Sequence, residues 1–215
     1  DMFNKIFLLC ICLISIFSTK TISAQSPTPF QCPTMLAIVN EGPNQPEHPS
    51  FISVINSATG ALSAQIAVKD ATGTAFNTLN GLALNSQDGF AYAQYQRIPT
   101  RAEITLSILT TGNYTSSSTL IKIGANGIGV NSGAINPPVS AGFNVHAMLG
   151  LLGTANNTGT YFVAAGEAQV TQSDSVTDFK LYIGSVSVPS AAVTWTAVQL
   201  DVSCTAFRQQ FIDAL

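Results

Sequence analysis

The stretch LNGLALNSQDGFAYAQ, residues 79–94, joins two short apolar runs through a polar centre. The side chains of Asn85 and Asp88 can bond to their own backbone, and Gly89 can adopt a positive φ. These residues predict a tight turn between two antiparallel strands, which is a β-hairpin.

The second strand of this hairpin has one thin face and one bulky face. Ala91 and Ala93 point to one side, because side chains alternate along a strand. Phe90 and Tyr92 point to the other side. We expect such a strand to lie between two neighbouring sheets.

Short runs with period-two alternation recur along the chain, between clusters of Gly, Asn, Pro and Ser. ALSAQIAV (61–68) alternates in this way, and so does EITLSIL (103–109). Helical periodicity is nearly absent after residue 25. The predicted fold class is all-β, with both runs as strands.

Two strand-turn-strand elements alternate with a period of roughly 65 residues. One begins at 79 and 145, and the other begins at 51, 119 and 180. Four antiparallel strands per repeat form the blade of a β-propeller. We therefore predict a partial β-propeller-like stack of four-stranded antiparallel blades, with complete blades at 79–135 and 144–200. A β-sandwich is the alternative.

The two ends of the repeat region read as incomplete blades. MLAIVN (35–40) fits the second strand of a first blade, and FRQQFIDAL (207–215) fits the first strand of another. A closed ring needs at least four blades. Either the sequence is therefore a fragment, whose natural chain we expect to continue past Leu215 into further domains, or it forms something other than a closed ring.

Residues 1–24 resemble a secretory signal peptide. Lys5 supplies a positive start, IFLLCICLISIF (6–17) supplies the apolar core, and Ala24 is the small residue before a polar segment. The mature repeat region is then 25–215, in a secreted or cell-surface protein, with a periplasmic location less favoured. Membrane contact is expected only through the cleaved segment.

The charge balance excludes one class of partner. The chain holds 8 basic and 11 acidic residues, and removing Asp1, Lys5 and Lys20 leaves 6 and 10, a net charge of −4. Charged residues make up 9% of the sequence, against about 25% in ordinary soluble domains. No basic surface for nucleic acid is expected.

Cys32 and Cys204 are the only cysteines of the mature region. In an oxidising compartment they can form a disulfide, and a bridge closing so long a loop stabilises a fold by roughly 4 kcal/mol. Two free thiols, or partners outside this sequence, are the alternatives.

No motif points to a metal, a cofactor or a catalytic residue. His48 and His146 are the only histidines, and neither has ligand spacing to a second His or to a Cys pair. A lone strand histidine such as His146 is more often a packed residue. IGANGIG (123–129) lies between two strands and predicts a hairpin turn, since a phosphate cradle requires a strand that leads into a helix.

Several stretches resemble an uncharacterised β-propeller-like repeat domain of large secreted bacterial surface proteins. In such domains D-G-x-x-Y begins the second strand of a blade; Asp88, Gly89 and Tyr92 fit this pattern, whereas NNTGTYF (156–162) departs from it. The resemblance implies adhesin-like modules further along the same chain and no assigned chemistry. It is carried by CP at 32, INSATG at 55, NGLALNSQDGFAYA at 80 and DVSCTAFRQQFIDAL at 201.

The long connections between predicted strands gather charge at one end of the blades. In an up-and-down blade the stretches 41–50, 97–118 and 171–178 share that end, and long loops on a rigid scaffold are the usual place for binding. Solubility alone is the alternative role of these charges. The predicted ligand-binding residues are Arg97, Arg101, Glu103, Asp174 and Asp178.

These features together predict an exported, non-enzymatic recognition or display module on a bacterial surface. It would bind a glycan or a protein through the loop-rich face. One alternative is a secreted glycan-active hydrolase or lyase, in which two acids such as Asp174 and Asp178 share a loop. A structural spacer in a long surface protein is the other.

The signal-peptide interpretation predicts that the exported protein begins at Gln25, because cleavage follows the small residue Ala24. Intact-mass measurement of exported protein tests this. A mass that retains residues 2–24 would contradict it.

Overall fold

The computed structural model describes residues 25–31, 35–39, 49–96, 100–153, 159–171 and 176–198. Within these ranges the chain is mostly β-strand, with one helix and three open sheets, so the all-β prediction is confirmed. The predicted signal peptide, both mature cysteines, His48 and the stretch 207–215 lie outside the described residues.

The elements are numbered here in chain order. The described strands are β1 (Met35–Val39), β2 (Phe51–Ile55), β3 (Ile66–Ala67), β4 (Leu79–Asn85), β5 (Phe90–Tyr95), β6 (Tyr114–Thr115), β7 (Ser118–Ile123), β8 (Gly129–Ile135), β9 (Val145–Gly153), β10 (Thr160–Val170), β11 (Val176–Ser187) and β12 (Ala192–Val198), and the helix α1 (Arg101–Thr111) lies between β5 and β6.

The central sheet has the order β4-β5-β7-β8, and every neighbouring pair is antiparallel. The predicted turn between β4 and β5 is confirmed in detail. Asn85 Oδ1 accepts from the Gln87 backbone N–H at 3.0 Å, and Asp88 Oδ1 accepts from that of Phe90 at 3.1 Å. Gly89 has a φ of 72°. Local side-chain hydrogen bonds therefore set the register of the hairpin.

The central sheet buries both of its faces, as the thin and bulky faces of β5 predict. Tyr92 belongs to a core that includes Met148 and Val163 of the strands β9 and β10. Ala91 and Ala93 belong to a second core, which includes residues of β2 and β4. The sheet thus packs against a different neighbour on each side.

The second sheet has the order β12-β11-β10-β9-β6. Its strands β9 to β12 are antiparallel, as the sequence predicts for 144–200, but β6 pairs parallel to β9 and corrects the purely antiparallel expectation. After α1 the chain runs alongside β9. Tyr114 N–H donates to Asn144 O at 2.7 Å, and Ser116 N–H donates to His146 O at 2.9 Å.

The first sheet has the order β1-β2-β3, and β3 is much shorter than predicted. The strand expected over 61–68 is reduced to Ile66 and Ala67. Leu62 still forms an isolated bridge to Ile55. Next to it, Ser63 Oγ accepts from the Val54 N–H at 2.9 Å, so a side chain replaces a ladder bond and interrupts the strand. Leu62 is 52% exposed.

The predicted strand over 103–109 is wrong, because this stretch lies in α1. Thr100 caps the helix: its Oγ1 accepts from the Glu103 N–H, and the Glu103 carboxylate accepts from the Thr100 N–H. Gly112 ends the helix in a left-handed conformation. Ile104 is buried and Ile108 is partly buried, one turn apart, while Leu106 between them is 61% exposed.

The stretch 123–129 forms the predicted hairpin turn, and Gly127 has a φ of 75°. Gly127 O accepts from the Lys69 N–H at 2.9 Å, which ties this turn to the chain that follows β3. A Cβ on Gly127 would lie 2.6 Å from Ile66 Cγ2 and 2.7 Å from Ala67 O. The glycine is required both by its conformation and by this close approach.

We expect Gly127→Ala to destabilise the fold more than Gly60→Ala. Both residues have a positive φ, near 70°, but a Cβ on Gly60 meets nothing within 4 Å. The control therefore carries only the conformational cost of about 1–2 kcal/mol, while Gly127→Ala adds about 1–3 kcal/mol for overpacking. Urea denaturation of both variants measures the difference, and equal losses would contradict the close approach.

Candidate functional site

A row of polar side chains crosses the second sheet at one level. Thr115 of β6 pairs with His146 of β9, His146 pairs with Glu167 of β10, and Glu167 pairs with Lys180 of β11. Glu167 follows Ala165 by two residues, so it lies on the same face of the sheet as that core residue. The row therefore belongs to the face that packs toward the central sheet.

Glu167 is fully buried, and three donors surround its carboxylate. His146 Nδ1 lies 2.9 Å from Oε1, and the Ser140 backbone N–H donates to the same oxygen at 2.5 Å. The hydroxyl of Tyr182 donates to Oε2 at 2.5 Å. Ser140 Oγ lies 3.2 Å from the Tyr182 hydroxyl and closes the network. We call these four residues the Glu167 cluster.

The cluster keeps Glu167 ionised. Burial alone would raise the pKa of its carboxyl, but the hydrogen bonds from Tyr182, Ser140 and His146 outweigh it and place the pKa below its ordinary value. Burial and the bond to Glu167 raise the pKa of the Tyr182 hydroxyl, so that hydroxyl remains a donor. A buried negative charge with fixed donors is the result.

A pocket of about 330 Å³ opens beside this cluster. His146 and Ser140 contribute to its wall, so the buried carboxylate lies directly behind it. Most of the remaining wall comes from the connection between β8 and β9 and from the segment after α1. The lining residues are Asn113, Thr115, Val139, Ser140, Ala141, Gly142, Phe143 and His146.

Lys180 extends the row beyond Glu167 and reaches the pocket's aromatic residue. Its Nζ lies 4.6 Å from the centre of the Phe143 ring, which is a cation–π contact. Phe143 is buried and Lys180 is exposed. The ammonium group therefore stays in solvent while it covers one face of the ring.

The residues predicted to bind a ligand are only partly within the described structure. Arg97 and Asp174 lie outside it, and Arg101 is the first residue of α1. Glu103 serves the helix cap. Asp178 is exposed near the start of β11, where its Oδ1 accepts from the Phe179 N–H at 2.7 Å. Their joint role in binding stays a prediction.

The helix and the start of β11 nevertheless share an end of the molecule with the pocket. Ile108 of α1 and Phe179 of β11 both pack against Val145 and Ala168. Val145 immediately precedes His146 in β9. The Glu167 cluster thus lies at the end where the sequence predicts the long connections to be.

Asp88 lies at the other end of the sheets. It accepts from the Tyr92 hydroxyl at 2.6 Å and lies 3.3 Å from Lys122 Nζ. Its turn approaches Gly159, since a Cβ there would be 3.2 Å from Gln87 Oε1. Gly159 precedes β10, and Glu167 lies eight residues, or about 26 Å at 3.3 Å per residue, further along the chain.

Sequence reasoning treated His146 as a packed residue and did not identify Glu167. His146 is indeed buried, but it also lines the pocket and bonds to a carboxylate. A signal was present: Glu167 is the only charged residue of YFVAAGEAQV (161–170), in a chain with 9% charged residues. A lone acid inside a strand needs a buried partner or a function.

Comparison with known protein families and with curated proteins found no match for this chain. Among the described residues no helix has the length and apolar character that a bilayer crossing requires. The same part of the chain contains no group of three or more His, Cys, Asp or Glu side chains able to hold a metal ion.

We expect Tyr182→Phe to lower the free energy of unfolding by about 2 kcal/mol, because it removes a hydrogen bond to a buried charge. Tyr161→Phe is the matched control. The Tyr161 hydroxyl donates to the neutral carbonyl of Gly81, and its loss should cost about 1 kcal/mol. Denaturant unfolding at neutral pH compares the two, and a larger loss for Tyr161→Phe would contradict an ionised Glu167.

We expect Glu167 to make stability depend on pH in acid. Its folded pKa lies below the ordinary value of 4.5, so its contribution is complete above that pH and is lost as the pH falls through the folded pKa. The difference in unfolding free energy between the wild type and Glu167→Gln should therefore shrink below about pH 4.5. The pKa of Asp70 is also lowered, by its hydrogen bond with Thr72. Because Asp70 is present in both proteins, its contribution cancels in the difference. A constant difference would contradict this prediction.

Proposed function

We propose that this protein is an exported recognition module that binds a glycan at the end of its sheets where the Glu167 cluster lies. The carrying observation is a pocket with both polar and apolar walls and an ionised, hydrogen-bonded carboxylate directly behind it. Burying a charge costs free energy unless the charge is paired and hydrogen-bonded. Such an arrangement is typical of sites that orient a ligand.

The walls of the pocket suit a sugar. Asn113, Thr115, Ser140 and His146 supply amide, hydroxyl and imidazole groups, and Phe143 supplies an apolar surface. The volume of about 330 Å³ is at the small end of the usual range for small-molecule sites, about 300–1,000 Å³. A single sugar unit of a longer glycan is the kind of group that fits, while a protein partner is the competing outcome of the tests below.

We infer that the central and second sheets are blades of a partial β-propeller-like stack, with the first sheet as an incomplete blade. Support comes from their chain-ordered antiparallel strands and from the cores on both faces of the central sheet. The proposal also includes export through residues 1–24, a bacterial cell-surface location and further domains in the same chain.

A glycan-active hydrolase or lyase on the same scaffold is the second candidate. The observation in its favour is the carboxylate of Glu167 behind His146, which is the arrangement of an oriented general base. Release of reducing ends or unsaturated products from polysaccharides would support it. A structural spacer without a ligand is the remaining alternative, and it predicts no binding in any screen.

We expect the double change Asn113→Ala and Thr115→Val to weaken glycan binding at least about tenfold, or 1.4 kcal/mol. Both residues are exposed and line the pocket, so the loss should leave folding intact. A glycan array identifies a bound structure for the wild type, and titration calorimetry then compares the variants.

The matched control is Asp88→Asn, at the opposite end of the sheets, which should bind within about twofold of the wild type. Replacing Arg97, Arg101, Asp174 and Asp178 together tests the wider loop face and should also abolish binding. Equal damage from the Asp88 change, with folding intact, would contradict the assignment of this end. Binding to a protein but to no glycan would overturn the proposed ligand class.

A further inference from the structure

The hydrogen bonds of Glu167 restrict where the ring of His146 carries its proton. An ionised carboxylate has only acceptor oxygens, and Glu167 Oε1 lies 2.9 Å from His146 Nδ1. Two acceptors at that distance would repel, so Nδ1 is the donor. In the neutral ring the proton is then on Nδ1, and Nε2 has a free lone pair.

We propose that Glu167 holds the His146 ring, in its neutral form, in the Nδ1–H tautomer, so that Nε2 is then an acceptor that selects an uncharged sugar hydroxyl over a carboxylate. This inference rests on the proposed function as a glycan site and names its specificity-determining residue. His146 would touch the ligand. Glu167 is a positioning residue that acts through the ring.

The pocket walls complement an acceptor at Nε2. His146, Asn113 and Thr115 line the same pocket. A sugar hydroxyl can donate to an acceptor at Nε2 and at the same time accept from the side-chain amide of Asn113 or the hydroxyl of Thr115. A ligand carboxylate has no hydrogen to donate. Next to Nε2, the lone pairs of a carboxylate oxygen and of the ring nitrogen would repel each other.

The charge nearest the ring, that of Glu167, acts in the same direction. Glu167 is 0% exposed, so solvent screens its negative charge poorly, and the carboxylate lies immediately behind His146. Lys180 is the cation of this cross-strand row. Its ammonium group is exposed above Phe143, so solvent screens its attraction for an anion. An anionic ligand is therefore disfavoured next to the ring.

The tautomer is measured first, without any ligand. Long-range ¹H–¹⁵N NMR of the ring nitrogens is recorded at about pH 8, above the ordinary titration range of imidazole, and His48→Gln assigns the signals. We expect Nδ1–H for His146. Glu167→Gln should shift the ring toward Nε2–H, because the glutamine amide can donate to Nδ1, while Tyr182→Phe should retain Nδ1–H. An Nε2–H ring in the wild type overturns the inference and leaves the proposed function standing.

Selectivity is measured next with paired probes, the methyl glycosides of glucose and galactose against those of glucuronic and galacturonic acid. Each pair differs only in a hydroxymethyl group or a carboxylate. We expect a neutral member to shift the His146 signals with a Kd at least about tenfold lower than its acid, and His146→Phe to abolish its binding. Equal or tighter binding of the acid overturns the selectivity. If no glycoside shifts the His146 NMR signals, both the proposed sugar site and its specificity are contradicted, whichever tautomer the ring has.

Discussion

The alternation along one strand, β5, is the constraint on which the packing of the three sheets depends. Tyr92 enters the core shared with the second sheet, while Ala91 and Ala93 allow the first sheet to approach closely. A slip of one residue would exchange these faces and leave the tyrosine against the wrong neighbour. The turn between Asn85 and Gly89 prevents that slip, so a few local hydrogen bonds determine which sheet packs on which face.

A second constraint acts within the second sheet, where one buried charge has to be satisfied. The donors to Glu167 come from three places: Ser140 in the connection after β8, His146 in β9 and Tyr182 in β11. Removing any one of them would leave a buried acceptor short of a partner, which is costly in a low dielectric. The connection must therefore fold back over the sheet, and the pocket lies where it does so. The position of the pocket is in this sense a consequence of satisfying the carboxylate.

Turn residues were sufficient to predict the hairpins at 79–94 and 123–129, but the alternation of apolar residues was insufficient to predict α1. Hairpins depend on turn residues a few positions apart, such as Asp88 and Gly89, so their bounds can be read locally. In EITLSIL the residues Ile104 and Ile108 fit both a strand face and a helix face, since positions four apart share a side in either structure. The deciding signals were the capping pair Thr100 and Glu103 and the terminal glycine, which alternation alone does not reveal.

The pairing of Glu167 with His146 was beyond sequence reasoning because it depends on the register across β9 and β10. Counted back from the pair Phe162 and Gly153, Glu167 would lie opposite Met148, but two single-residue shifts place it opposite His146 instead. Irregular pairing of this kind has no signature in the alternation of side chains. In the proposed site, strands and connections have different roles. The strands hold the charged carboxylate of Glu167 rigidly, while the connections supply pocket walls whose sequence can vary. The orientation of a ligand and the choice among ligands are therefore determined by different parts of the fold.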